Sequence, residues 1–237
     1  MKTQRRILLV VGTLLLAFGG LVALTELLLG ELVGSLVVLG VVVAVIAAYL
    51  GLIRPWQVRW GATADEVVRP MPGDSILGPG TPSTTRAITI GAPASQVWPW
   101  LAQLGYGRAG WYSYDWLDND GQPSATQIRP EWQHLCRGDR VLMMPGAGFD
   151  VIEVEDGHHF TARAPDQTMS WCLTVEPRDR HSCRLISRWR VRWRITPASV
   201  AWIALSDPGA FIMERRMLLG IKARAERTVR PDLAQHH

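Results

Sequence analysis

An acid surrounded by aromatic residues is the feature of this sequence with the clearest chemical use. Asp115 lies among Trp111, Tyr112, Tyr114 and Trp116. These rings supply large apolar area, and their indole and phenol groups need hydrogen-bond partners when buried. A carboxylate in such surroundings loses hydration and must be hydrogen-bonded, as functional acids often are. The run therefore predicts the lining of a pocket. The alternative is that Asp115 caps a short helix while the rings fill a core.

Later parts of the chain offer further candidates for the same pocket. Residues 169–175 alternate apolar and polar types, which places Trp171 on the apolar side of a strand. The last helix has an apolar stripe, with Glu214 between two of its members. Glu214 has the alternative of pairing with Arg215 or with a neighbouring strand. The predicted ligand-binding residues are Trp111, Tyr114, Asp115, Trp116, Trp171, Phe211, Glu214 and Leu218.

Other chemistry finds little support in the motifs. The glycines of residues 105–110 match GxGxxG, but a dinucleotide fingerprint needs a strand before it, and here a helical pattern precedes it. Residues 118–121 lack the first and last ligands of a calcium loop. His158 and His159, like His134 and Cys136, have no further ligands at zinc spacing. GxSxG and HExxH are absent. We expect no metal and no cofactor.

The elements that must position the candidate residues form an α+β pattern. Residues 87–90 read as a strand, and a helix with an apolar face follows from Pro93. Several antiparallel strands come next. In the last of them, one face carries Leu185, Trp189, Val191 and Trp193, and the other carries arginines at 184, 188, 190, 192 and 194. We expect this arginine face to be solvated, with contact to anionic lipid as the alternative. A long helix should open at Asp207 and Pro208.

Several of these stretches resemble one known superfamily. They are ITIGAPASQVWPWLAQLG, GRAGWYSYDWLDN, GDR at 138–140, FDVIEV at 149–154 and FIMERRMLLGIKARAE near the end. Together they resemble the START-like (SRPBCC) superfamily of polyketide cyclase/dehydrase and lipid-transport proteins, over residues 60–226. The resemblance implies a helix-grip fold, in which a curved antiparallel sheet wraps around a long C-terminal helix and leaves a cavity. Members include lipid carriers, hormone receptors, cyclases and cofactor-binding proteins.

The N-terminal part predicts a membrane hairpin. Residues 7–25 and 32–53 are free of charge, and each is close to the ~20 residues that a spanning helix needs. Basic residues flank the pair and acids lie between the runs, so both ends should be cytoplasmic. Trp56 and Trp60 suggest an interfacial anchor. A buried soluble hairpin and a cleaved signal peptide are the alternatives. We interpret the GxxxG spacing of Gly30 and Gly34 as chance.

Charge and domain organisation agree with a division into an N-terminal membrane hairpin and a separate domain. The net charge is +4, but the excess lies in the flanks of the two apolar runs, which argues against a nucleic-acid partner. The three cysteines form no paired motif, and in the cytoplasm we expect free thiols. The predicted segments are a transmembrane hairpin over 1–60, a Pro/Gly-rich linker over 61–85, a START-like domain over 86–230 and a tail over 231–237.

These observations predict membrane-anchored binding of a hydrophobic small molecule or lipid, in a cavity between the sheet and the C-terminal helix. The partners are then that ligand and the cytoplasmic membrane. One alternative is a cyclase-type enzyme in which Asp115, Tyr114 or Arg108 performs acid–base work on a polyketide-like substrate. Another is a non-catalytic interaction module whose cavity is filled by its own side chains.

Overall fold

A single antiparallel sheet forms the centre of the computed structural model, which describes residues 2–192 and 196–234. Trp193 and Arg194 of the predicted arginine strand lie outside the described residues. Neighbours in the sheet follow the order β1-β6-β5-β4-β3-β2, so the first strand pairs with the last. The strands are β1 (Ser83–Ile90), β2 (Arg140–Met144), β3 (Ala147–Glu155), β4 (His159–Arg163), β5 (Met169–Pro177) and β6 (Cys183–Val191).

Helices precede the sheet, interrupt it after β1 and follow it. They are α1 (Lys2–Leu29), α2 (Glu31–Ala48), a π-helical turn (Tyr49–Ile53), α3 (Arg54–Gln57), α4 (Ala64–Val68), α5 (Ala94–Ala102), α6 (Asp115–Asp118), a 3₁₀ turn (Pro130–Trp132) and α7 (Pro197–Ala234). Register shifts in the β2–β3 and β3–β4 pairings curve the far half of the sheet. The fold is the predicted α+β helix-grip arrangement.

The main core lies between the inner face of the sheet and helices α5 and α7. Period-2 alternation directs Leu173, Leu185 and Ile90 to this face, where they are fully buried. From α7, Leu218 and Ile221 pack into the same cluster. Because the loop after α5 runs across this core, the aromatic residues at 111 and 112 reach the interior.

The C-terminal helix starts earlier than the sequence pattern predicts. The expected start at Asp207 and Pro208 is wrong, because α7 begins at Pro197 and carries Pro208 in its interior. An interior proline removes a backbone donor and weakens a helix. Here the surroundings support the helix. Arg54 Nε donates to the Asp207 carboxylate (2.7 Å), and Gln57 Nε2 donates to the Asp207 carbonyl (2.8 Å).

The arginine face of β6 is covered, which corrects the expectation of a solvated face. Residues 61–82, here called the strap, lie across the outer face of the sheet. Arg188 is almost fully buried beneath the strap and donates to the Asp74 carboxylate and to the carbonyls of Glu66 and Arg69. Arg184 forms an ion pair with Glu66 (2.7 Å).

The remaining arginines of that face complete the attachment. Arg190 donates to the carbonyls of Gly78 and Thr81, and Arg192 to that of Leu77. A small apolar cluster of Met71, Ala87, Cys172 and Ile186 lies under the strap. The outer face is therefore a second packed layer, held mainly by guanidinium groups on backbone carbonyls.

The N-terminal helices fold back on each other at a single residue. Gly30, with φ of 82°, separates α1 from α2. A Cβ on Gly34 would stand 2.7 Å from the Glu26 Cα, so Gly34 permits close approach of the two helices, whereas a Cβ on Gly30 would meet nothing within 4 Å. The two glycines therefore do not act together as one packing motif. By length and composition, one helical stretch within the described residues could cross a membrane, Glu31–Gln57. The apolar stretch before it, Leu16–Leu29, is shorter.

Candidate functional site

Three tryptophans form an aromatic wall on the inner face of the sheet. Trp171 on β5 and Trp189 on β6 are directly opposite each other in the strand pairing, and their rings stack with centroids 4.8 Å apart. Trp111 enters from the loop after α5 and lies 5.7 Å from Trp171. Phe149 and Phe160 meet this wall edge-on. The arrangement offers flat, apolar surface with indole groups as its polar points.

Two of the three indoles have no hydrogen-bond partner among the described residues. The Nε1 atoms of Trp111 and Trp189 are buried, and within the described part of the chain neither donates to an acceptor. A buried N–H without an acceptor costs about 1–3 kcal/mol, so native proteins rarely leave one unpaired. Trp171 differs, because its Nε1 donates to Ser187 Oγ (2.9 Å).

A buried ion pair lies beside the wall. Glu214 of α7 accepts from the Arg86 guanidinium of β1 and from Ser187 Oγ (2.5 Å). Arg86 also donates to the Gln57 carbonyl (3.0 Å) and lies 5.2 Å from the centroid of Phe211. Arg86, Ser187 and Glu214 are all nearly inaccessible to solvent. The chain of contacts therefore runs from Trp171 through Ser187 and Glu214 to Arg86, and the two charges neutralise each other.

Phe211 connects this inner group to the exit of the N-terminal helices. Its ring makes edge contacts with Trp56 (5.4 Å) and Trp60 (6.2 Å). Leu218, about two turns further along α7, is fully buried in the main core. A Cβ on Gly220 would collide with the Tyr112 carbonyl, so this glycine lets α7 approach the loop that carries Trp111.

Asp115 holds that loop in place. Its carboxylate accepts from the Ser124 amide (3.0 Å) and from Ser124 Oγ (2.5 Å), and Ser124 Oγ in turn accepts from the Tyr112 amide (3.0 Å). Tyr112 has φ of 55°, an unusual conformation for a residue other than glycine. The Tyr112 hydroxyl is fixed between Gln103 Nε2 and the Trp100 carbonyl. These contacts determine where Trp111 enters the core.

Asp118, at the end of α6, is the most perturbed acid of this region. Burial, together with the nearby negative charge of Asp115, raises the pKa of Asp118 to about 6. The Ser113 hydroxyl is close, but it donates to the Met213 carbonyl (3.0 Å). Both carboxylate oxygens of Asp118 are buried without a hydrogen bond from the described residues. Asp118 therefore changes charge near neutral pH.

The predicted site residues divide into two groups. The structure brings Trp111, Trp171, Glu214 and Phe211 into one connected interior cluster, directly or through Ser187 and Arg86, with Leu218 in the adjoining core. Tyr114, Asp115 and Trp116 lie outside that cluster, at the start of α6. Tyr114 precedes the first helical residue and is half-buried, and Trp116 is largely exposed.

Sequence reasoning missed Arg86, Ser187 and Trp189 as parts of the site. Strand parity was the available signal. Arg86 shares its face of β1 with Ile88 and Ile90, and Ser187 lies between Leu185 and Trp189 on the inner side of β6. A polar residue at an inward position of a strand needs a buried partner, which here is Glu214.

Comparison with known proteins adds similarities of fold only. No protein-family model matches the sequence, and no curated protein matches it. A protein from Thermobifida fusca, solved by NMR, is 19% identical, with 61% of this chain and 93% of that chain covered and a TM-score of 0.41. A Polyketide_cyc-like protein from Corynebacterium glutamicum, Cgl2372, is 19% identical over 67% of this chain and 98% of its own, with a TM-score of 0.32.

The di-domain ARO/CYC protein BexL of the BE-7585A biosynthetic pathway is 18% identical over 61% of this chain, which spans about half of that protein (46%), with a TM-score of 0.38. At such identities and TM-scores these similarities carry no weight for activity. The fold is assigned from the molecule itself. The strand order, the curved sheet and the long α7 form the predicted helix-grip arrangement.

Proposed function

We propose that this protein binds a hydrophobic small molecule or lipid between the inner face of the sheet and α7. The observation that carries the proposal is the pair of buried indole donors on Trp111 and Trp189, which have no acceptor in the described chain. Ligand sites in proteins are mostly apolar walls with a few placed polar groups. Acceptor oxygens on a bound molecule would complete these hydrogen bonds.

The charges around the wall define the ligand further. Arg86 is neutralised by Glu214, so the wall has no free positive charge from this pair. A carboxylate ligand would be buried there without a counter-charge, at considerable cost in desolvation. A neutral carbonyl or hydroxyl suits the two indole donors better. The preferred ligand is therefore an apolar molecule with uncharged oxygen acceptors.

The cyclase-type alternative finds less support in the contacts of its candidate residues. Asp115 uses its carboxylate on Ser124, and Arg108 Nη2 donates to the carbonyls of Ala102 and Trp132. Both sets of contacts hold backbone in place. The filled-cavity alternative predicts that no molecule binds at the aromatic wall. A binding experiment distinguishes this alternative from our proposal.

Substitution of the two indoles tests the binding proposal. The full chain, gently extracted, should carry a small molecule that native mass spectrometry detects. Trp111→Phe and Trp189→Phe each keep an aromatic ring and remove one donor. We expect each to lose about two- to tenfold in affinity, since a hydrogen bond contributes about 0.5–1.5 kcal/mol. Trp116→Phe, on the largely exposed side of α6, is the matched control and should bind normally. Equal affinity in all three variants contradicts the proposal.

We propose further that α1 and α2 form a two-pass anchor with both termini in the cytoplasm. The apolar stretch Glu31–Gln57 and the basic flanks at residues 2–6 and 54–59 support this topology. A fluorescent or phosphatase reporter fused after His237 tests it. Fluorescence without phosphatase activity is the expected result, and an active phosphatase overturns the orientation.

A further inference from the structure

The first turns of α7 project an apolar stripe that no described part of the chain covers. Trp202 is 70% exposed, Leu205 79% and Ile212 51%. Residues three, four and seven apart share one face of a helix, so these three side chains and Gly209 form a single line about 15 Å long. The opposite side of the same segment is engaged, since Ile203 and Phe211 are buried.

This stripe is continuous with the end of the apolar N-terminal helices. Asp207 lies between Leu205 and Ile212 and is held by Arg54, the first residue after the π-helical turn, and by Gln57. Phe211 packs against Trp56, which is itself exposed. The stripe is therefore fixed beside the point where the apolar segment Glu31–Gln57 ends.

Cations border the same region. Arg59, Arg215 and Arg216 are exposed, and the Arg215 guanidinium lies 5.0 Å from the centroid of Trp60. Tryptophan and arginine at the end of an apolar helix are typical of the headgroup region of a bilayer. An interfacial helix places its apolar face about 5–10 Å into the boundary between headgroups and acyl chains, with basic residues alongside.

From this geometry we propose that residues 198–212 of α7 are an interfacial helix, which inserts Trp202, Leu205 and Ile212 into the bilayer that the N-terminal helices cross. The proposal rests on the membrane anchor proposed above. The bilayer is favoured as the occupant over a second copy of the chain because Arg54 and Gln57 fix the stripe next to the spanning segment. One end of the ligand-gripping helix would then touch lipid directly.

Spin labels on the full chain in phosphatidylcholine–phosphatidylglycerol vesicles test this proposal. Cys136 is exposed and is first replaced by serine, whereas Cys172 and Cys183 are buried. Labels are placed by Trp202→Cys and, in a separate variant, by Leu205→Cys. The control is Met144→Cys, an exposed position on β2 at the opposite edge of the sheet. Val43→Cys, exposed on α2, reports the spanning segment.

Collision with oxygen, which is enriched in lipid, and with a water-soluble nickel complex is then measured. We expect the labels at 202 and 205 to meet nickel several-fold less often than the label at 144, and oxygen more often. Nickel access equal to that at 144 overturns the interfacial helix. If the label at 43 is shielded in the same experiment, the membrane anchor stands, and if it is not, the anchor itself fails. Dipolar broadening between labels at 202 would show a second copy on the stripe and also overturn the proposal.

Discussion

At the scale of single residues, the interior of this protein depends on charges that are satisfied in pairs. Glu214 and Arg86 face each other in the core. Glu214 also accepts a hydrogen bond from Ser187, and Arg86 also donates one to the Gln57 carbonyl. Burial makes each charge dependent on its partner. Removal of one partner leaves an unpaired ion in an apolar setting, whereas removal of both leaves none.

We predict that Glu214→Ala lowers the free energy of unfolding by about 3–5 kcal/mol, because Arg86 is then buried without a counter-charge. Urea unfolding of the full chain in detergent measures the effect. The double variant Arg86→Met with Glu214→Leu should recover most of the loss, since it removes both charges and keeps apolar volume. A double variant as unstable as Glu214→Ala would show that packing, not charge, is responsible.

Asp118 should make stability depend on pH. Its pKa is about 6 in the folded protein, where burial and the charge of Asp115 favour the neutral acid, and its ordinary value is 3.8. The folded state therefore binds the proton more tightly than the unfolded state does. The stability that neutral Asp118 contributes is lost as pH rises from about 4 to about 6. Asp118→Asn should be more stable than the native chain at pH 7, and the two should converge at pH 4.

Unfolding curves at a series of pH values, compared between the two proteins, measure this difference. Asp115→Asn gives a second reading, because it removes the negative charge that helps to raise the pKa of Asp118. The loss of its two hydrogen bonds with Ser124 should cost about 1–3 kcal/mol, and the pH-dependent part of the stability should become smaller. A pH-independent difference for Asp118→Asn would contradict the assignment.

At the scale of elements, the strap is attached to two strands, to β5 through the Arg69–Glu176 ion pair and to β6 through Arg188. Arg188 of β6 reaches the Thr85 hydroxyl, the Asp74 carboxylate and carbonyls of the strap. Its planar guanidinium offers several donors in fixed directions, which a lysine ammonium does not reproduce. The outer layer is therefore attached through donor geometry as much as through charge.

Arg188→Lys should loosen the strap while it preserves the charge. We expect faster hydrogen exchange of the amides of residues 64–78 and earlier protease cleavage there, with the inner core unchanged. Arg180→Lys, in the exposed turn between β5 and β6, should leave both measurements as in the native chain. Protection of the strap that is equal in the two variants would mean that its other contacts, such as the Arg184–Glu66 ion pair and the apolar cluster around Met71, hold it without the Arg188 guanidinium.

Alternation in the strands predicted which way side chains point but not what covers them. Trp171 and Leu185 were placed correctly inward, because period 2 fixes the face of each residue. The same rule put Arg188 outward, yet the outer face is covered by a proline-rich segment without periodicity of its own. Arg86 shows the reverse case. Its inward position follows from parity, whereas its partner Glu214 lies 128 positions later and leaves no local signal. Asp207 and Pro208 have the residue types of a helix start. The contacts that support them inside the helix come from Arg54 and Gln57, in another part of the chain, and so leave no local signal.

At the scale of the whole molecule, the segment that follows the N-terminal helices is hydrogen-bonded to the edge of the sheet. The carbonyls of Val58 and Trp60 accept from the amides of Thr85 and Ala87 in β1 (2.9 and 3.1 Å). The domain built around the sheet and the segment that leaves the N-terminal helices therefore share an edge. The boundary predicted near residue 60 crosses these contacts.

A chain that begins at Ala62 should still fold, since sheet, α5 and α7 retain their core. We expect it to be less stable than a chain that begins at Arg54 by roughly 3 kcal/mol, because it lacks two backbone hydrogen bonds and the Gln57 acceptor of Arg86. Thermal melts followed by circular dichroism compare the two. Equal melting temperatures would show that residues 54–61 add nothing to the domain.

The pairing of the first strand with the last has a consequence for biosynthesis. Arg188 is separated from Asp74 by 114 positions and Glu214 from Arg86 by 128, so neither the strap nor the buried ion pair can form until the ribosome has released most of the protein. Contacts between such distant residues close slowly. Under the proposed membrane anchor, the apolar helices would be delivered to lipid while the residues after them are still nascent. A translation product that stops before α7 would carry Arg86 without a counter-charge and should be removed by quality control.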